Sequence, residues 1–305
     1  MAEPQPGVLG ILLTSYDEDG RVHHRDLEAQ ADFVASTAQG VVWPVMASEF
    51  QLMSQEEVAA GFSPIARGIA GRVPFVAGVT RLTTAEAVDL ARAAADAGAG
   101  AVIAMPPFAS SVHGAHLVDH FRAIAAVGLP VVVQNQMSMG PGGPITIDEL
   151  RRLAEEIPGV QYLKEEAPAL PQTISRALAA LPGLYRLVFG GAGGRFLIDE
   201  LNRGGAGTMP ACEWADLVAE VWRLHHGGDE AAARALHAQA LPGILLETAY
   251  GMVGAREVLF RRGVIRSTRG RLGAGAELDD AARREIEATL AQVWDRLPWR
   301  AGTPG

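Results

Sequence analysis

Eight short apolar runs rich in β-branched residues begin near Val8, Val41, Val73, Ala101, Val131, Val160, Tyr185 and Gly205, at intervals of 20 to 33 residues. Every interval but the last has room for one amphipathic helix and two short loops, which is the repeat of a βα unit. Three helix starts fall in register with these runs. Ser54, Thr83 and Thr146 each stand three residues before a glutamate, the pattern in which hydroxyl and carboxylate satisfy each other's backbone amides. Gly98, Gly128 and Gly204 stand where helices expected over 85–97, 114–127 and 196–203 should stop. Eight parallel strands with intervening helices close most simply into an α/β fold of the (β/α)8 TIM-barrel type. An open doubly wound sheet would carry a glycine-rich turn after its first strand, and after Leu13 the chain reads Thr-Ser-Tyr-Asp instead.

Beyond Met209 the pattern changes to helices only, expected over 214–225, 229–239, 241–250, 255–262 and 279–296. The expected organisation is therefore a barrel core over 1–209 and a C-terminal helical extension over 210–305, packed on the barrel and including its last helix. The tail over 298–305 reads as frayed.

Composition decides which functions are open. With 49% hydrophobic residues the chain can bury a large core, while a net charge of −9 leaves no basic surface for nucleic acid or an anionic membrane. The first residues lack a basic segment followed by an apolar one, and no apolar run reaches spanning length, so no secretory signal and no membrane partner are expected. One cysteine, Cys212, excludes an internal disulfide and a cysteine-built zinc site, and suits a reducing cytoplasm. The adjacent pairs His23-His24 and His225-His226 have the wrong spacing for a shared metal ion.

The most informative count is that of the 26 basic residues only Lys164 is lysine. Arginine serves as a surface cation about as well, whereas only an amine can attack a carbonyl. Lys164 closes the sixth run, and a period of two places Val160, Tyr162 and Lys164 on one face. Active sites of such barrels lie at the carboxyl ends of the strands, so a lysine there is poised for imine chemistry.

The stretch 7–20 with its Asp17-Glu-Asp-Gly20 turn, the segment from Ala47 to Glu57, and Tyr162-Leu-Lys-Glu-Glu166 resemble the dihydrodipicolinate synthase / N-acetylneuraminate lyase family of lysine-dependent aldolases. So do Gly190-Gly-Ala-Gly-Gly194 and Gly204-Gly-Ala-Gly-Thr-Met209. The resemblance implies a barrel assembled as a homotetramer or homodimer, in which Lys164 forms an imine with pyruvate or another 2-oxo acid. It implies that Gly190 offers a backbone group near the oxo acid and that Met209 lines the pocket. Met46 and Ala47 stand where that family has two threonines, and the amides leading to Ser48, at the start of the second helix, would receive the substrate carboxylate. The imine is itself the electron sink, so no cofactor or metal is called for.

The departures matter as much. Gln134 stands where the family's proton-relaying tyrosine is expected, Phe108 where a second tyrosine is expected, and 138–143 holds no arginine for a second carboxylate. None of Gln134, Phe108 and Met46 can act as acid or base, which argues against lysine biosynthesis as the reaction. Proton transfer would fall to Ser48, Tyr16, Glu49, His113, His116 or a water held by Gln134 and Asn135. Arg195 and Arg81 are candidate cations near the mouth, and Trp43, Met46, Met105, Phe108, Met137 and Met139 give it an apolar lining suited to a weakly hydroxylated acceptor. The function expected is a class I lyase, aldolase or dehydratase, acting on a 2-oxo acid or 3-deoxy-2-oxo acid. The alternatives are a silent or regulatory barrel that binds a 2-oxo acid, and a phosphosugar enzyme using 190–194 as a phosphate cup.

Overall fold

The structure, a computed structural model, describes residues 2–109, 111–136, 143–271 and 277–299. Its strands are β1 (Gly7–Ile11), β2 (Gly40–Trp43), β3 (Phe75–Gly78), β4 (Ala101–Ala104), β5 (Val131–Gln136), β6 (Val160–Glu166), β7 (Leu187–Gly190) and β8 (Gly207–Thr208). They pair in sequence order, all parallel, and close into a barrel through Gly7↔Gly207 and Val8↔Thr208. The seam depends on a glycine, because a Cβ on Gly207 would lie 1.8 Å from the Gly7 carbonyl oxygen. Helices α1 (His24–Thr37), α2 (Gln55–Ile69), α3 (Thr84–Asp96), α4 (Gly114–Ala125), α5 (Ile147–Glu156), α6 (Gln172–Ala180) and α7 (Leu197–Asn202) fill the intervals. The paired hydroxyl and carboxylate caps form at the starts of α2, α3 and α5, on Ser54, Thr83 and Thr146.

Because the strands are buried on both faces, two apolar layers result. Leu9, Ile11, Val42, Val76, Ile103, Val132, Tyr162, Phe189 and Met209 fill the barrel, while residues such as Val8, Val41, Val102, Val133 and Leu163 pack against the helices. One expectation fails in β6. Val131 pairs with Val160 but Val132 pairs with Tyr162, a bulge that leaves Gln161 over. Val160 therefore belongs to the outer layer and does not share a face with Tyr162 and Lys164.

After β8 come α8 (Ala215–His226), α9 (Glu230–Arg261) and α10 (Asp280–Val293). The three helices expected over 229–262 are joined in α9, whose interior departs from helical geometry only at Gly251 (φ 61°, ψ −158°). Pro242 would ordinarily end a helix at a cost of about 3 kcal/mol. Here packing outweighs it: Ala240, Gly243, Ile244 and Leu246 are buried, and the missing side chain of Gly243 admits the Trp214 ring. The expectation of fraying from 298 fails at Trp299, which packs edge-on against Phe33 at 5.0 Å and whose carbonyl accepts from Arg262 at 3.1 Å; residues 300–305 lie outside the described residues. Among the described residues no helix is long and apolar enough to cross a membrane.

Candidate active site

Alternation along β5 and β6 sorts the site residues. Two residues beyond the inward Tyr162 stands Lys164, and two beyond the inward Val132 stands Gln134, so both point into the barrel mouth, and they are register partners. Asn135 and Glu165 take the opposite face. The Asn135 amide donates to Glu165 Oε2 at 3.0 Å and to the Ile145 carbonyl at 3.3 Å, and its Oδ1 accepts from the Ile145 amide at 2.8 Å. Asn135 thus braces the chain entering α5 and lies away from the cavity.

Lys164 is 3% exposed and borders a cavity of about 310 Å³. The other lining residues include Ile11, Met46, Ala47, Gln136, Glu166, Arg195, Met209, Glu247 and Met252. Its Nζ lies 2.9 Å from Glu166 Oε2. The same carboxylate oxygen accepts from Gln134 Nε2 at 3.0 Å, and Oε1 accepts from the Ala192 amide at 3.2 Å. Gln134 Nε2 also donates to Gln136 Oε1 at 2.8 Å. Arg195 donates through Nε to the Ala192 carbonyl at 2.7 Å and through Nη1 to Thr248 Oγ1 at 2.6 Å. Burial pushes the Glu247 carboxyl above the usual range, against the pull of Arg195 and Lys164. Beneath Gly190, burial and then the Glu166 charge push Glu200 up to about 8.

The other sequence candidates are dispersed. The amides of Met46 and Ala47 open a single 3-10 turn, Met46–Ser48, and α2 begins only at Gln55, so the expected helix start is a tight turn. The Ser48 hydroxyl donates to the Leu12 carbonyl at 2.6 Å and accepts from the Val45 amide at 3.2 Å, and Ser48 does not line the cavity. Glu49 pairs with the buried Arg256. Tyr16 is buried under the Arg271 guanidinium, 4.3 Å from its ring centroid, and burial raises its phenol to about 12. Arg81 is held by the Phe50 and Ser54 carbonyls, at 3.2 Å each. His113 caps α4 and lies 3.0 Å from Glu149, while His116 borders a separate groove.

Phe108, with Met105, borders a smaller cleft beside Gln134 and Gln136 rather than the Lys164 cavity, and stacks edge-on with Phe50 at 5.5 Å. Gly190 sits at the end of β7, where its carbonyl accepts from the Met209 amide at 3.2 Å. Trp43 packs between barrel and helix against Phe62, and Met137 and Met139 lie outside the described residues. Sequence reasoning missed Glu166 and Glu247 as cavity residues. The period of two that placed Lys164 also covers Glu166, whereas Glu247 and Met252 arrive from α9 with no local signal.

Residues 4–293 match the dihydrodipicolinate synthetase family. A 4-hydroxy-tetrahydrodipicolinate synthase of Acidobacterium capsulatum is 32% identical over 254 residues, 80% of this chain and 82% of that protein. Among solved structures, a prophage protein of the dihydrodipicolinic acid synthase family from E. coli K12, in complex with pyruvate, superposes with a TM-score of 0.87 at 20% identity, covering 96% of this chain and 99% of that one. A catalytic-lysine mutant of a Ruminococcus gnavus sialic acid aldolase gives 0.83 at 18% identity, with 95% and 96% covered.

Proposed function

Since the chain belongs to the dihydrodipicolinate synthetase family, we propose that it is a class I lyase acting on a 2-oxo acid through a Schiff base on Lys164. The observation that carries this reading is the one lysine of the sequence, 3% exposed, inward at the carboxyl end of β6 and bordering the 310 Å³ cavity. An amine there can form a carbon–nitrogen bond to a keto carbon, and the protonated imine then draws electrons from the neighbouring C–C or C–H bond. The pyruvate held by the E. coli relative supports the substrate class. In our reading the substrate carboxylate faces the Met46 and Ala47 amides, with Met209 and Met252 against its carbon chain.

The synthase activity named for the Acidobacterium relative is not carried over. Gln134 has no titratable group, and among the described residues no tyrosine lines the cavity. The apolar share of Ile11, Met46, Ala47, Met209 and Met252 favours an acceptor less hydroxylated than a sugar acid. A cytosolic setting is in keeping with the free, buried Cys212.

Incubation with pyruvate and borohydride, read by intact mass, is expected to leave a reduced adduct on Lys164, abolished in Lys164→Arg. No adduct with pyruvate or any of a panel of 2-oxo acids overturns the proposal. The ion pair to Glu166 also suits a barrel that binds without turnover, and that reading requires Lys164→Arg to retain 2-oxo acid binding.

A further inference from the structure

We propose that Glu166 is the acid–base residue of this site and that Gln134 positions it, an assignment that rests on the Schiff-base reading of Lys164. The two successive glutamates of β6 have different surroundings. Glu165 faces the helix layer, bound by Asn135 and by the Ala167 amide at 2.8 Å. Glu166 faces the cavity, with one oxygen 2.9 Å from the amine. Both its oxygens are fixed, Oε1 by the Ala192 amide and Oε2 by Gln134. Gln134 is itself 1% exposed and anchored to Gln136, so the side chain that cannot titrate holds the one that can. The backbone leaves room for this: a Cβ on Gly191 would lie 2.0 Å from Glu166 Oε1. A salt bridge made only for stability needs neither an opening onto a cavity nor a neutral amide fixing the carboxylate.

The steps balance with water as the only added reactant. Glu166 takes a proton from the Lys164 ammonium, and the freed nitrogen pair bonds to C2 of the 2-oxo acid. The former keto oxygen takes one proton from that nitrogen and a second from Glu166, and leaves as water, giving the protonated imine and the Glu166 carboxylate. With a 4-hydroxy-2-oxo acid, the carboxylate then removes the hydroxyl proton. The C3–C4 pair becomes the C2=C3 bond, the imine pair returns to nitrogen, and an aldehyde departs. Glu166 delivers the same proton to C3, and hydrolysis releases the shortened oxo acid. Run with pyruvate alone, the last exchange moves protons between C3 and Glu166, so the base can be assayed without knowing the acceptor.

The experiment follows pyruvate methyl hydrogen–deuterium exchange in D2O by proton NMR, beside borohydride trapping, in wild type, Glu166→Gln and Glu166→Asp. Wild type is expected to trap and exchange. Glu166→Gln is expected to lose about a hundredfold or more of exchange, with Glu166→Asp recovering part of it. If wild type traps and Glu166→Gln exchanges within threefold of it, the assignment is overturned while the Schiff base stands. If wild type does not trap, the Schiff-base reading itself has failed. Should Glu166→Gln lose trapping as well, recovery of both signals in Glu166→Asp supports the assignment, and recovery of neither overturns it.

Discussion

Replacing Glu49 by glutamine tests whether that residue is part of the architecture or of the chemistry. Glu49 is 3% exposed and pairs with Arg256, which is 1% exposed. The guanidinium also donates to the Thr14 and Thr268 carbonyls at 3.3 and 3.2 Å, so the pair joins the ends of β1 and β2 to α9. Glu49→Gln preserves the shape but leaves a buried cation facing only neutral acceptors, a loss of about 3–5 kcal/mol for a broken buried pair. Unfolding entropy of about 2.1 cal/mol/K per residue, over 305 residues, converts that loss into a fall in Tm of roughly 5–8 °C. Thermal denaturation followed by circular dichroism measures it. The double variant Glu49→Gln with Arg256→Met removes the stranded charge and should recover most of the loss, and Lys164 trapping should persist at temperatures where Glu49→Gln remains folded. A fall below about 2 °C, or a double variant no better than the single, would refute the reasoning.

Two further outcomes follow from the site. Gly191→Ala puts a Cβ 2.0 Å from Glu166 Oε1 and should turn that carboxylate off Lys164, lowering pyruvate exchange about tenfold or more; exchange at the wild-type rate in the folded variant would contradict the geometry. Glu200, raised by burial from 4.5 to about 8, binds more protons in the folded state than unfolded between those values. Its contribution is therefore fully present below pH 4.5 and is lost as pH rises through about 8, by up to about 1.4 kcal/mol per pH unit. Glu200→Gln removes that dependence, so its urea midpoint should improve relative to wild type between pH 5 and pH 8. A midpoint difference that does not move with pH would count against a buried neutral Glu200.

Much of the fold is legible in local pattern, because hydrophobic period and capping are local physics. The strand spacing foretells the barrel, and Ser54, Thr83 and Thr146 foretell three helix starts that form as expected. The failures are places where a distant partner decides. A helix break is expected between 239 and 241, yet the helix runs on where Trp214 packs beside Gly243, and Val160 reads as inward until the Gln161 bulge turns it out. Ser48 and Glu49 read as mouth groups until the Leu12 carbonyl and Arg256 engage them.

By itself the sequence determined that one amine stands at the end of one strand of an eight-fold repeat, and that the residues around it on the neighbouring runs include Gln134 and Phe108, which carry no acid–base group. Both are statements about side-chain chemistry and local period, which a chain carries before it folds. Only the tertiary structure decided which groups meet that amine. Closure of the barrel brings Gln134 of β5 onto the Glu166 carboxylate, and sets Glu166 of β6, Ala192 beyond β7 and Glu247 of α9 around one cavity. Whether a carboxylate is a strut, like Glu165, or faces the Lys164 amine, like Glu166, depends on the direction its strand presents once neighbouring strands fix the register.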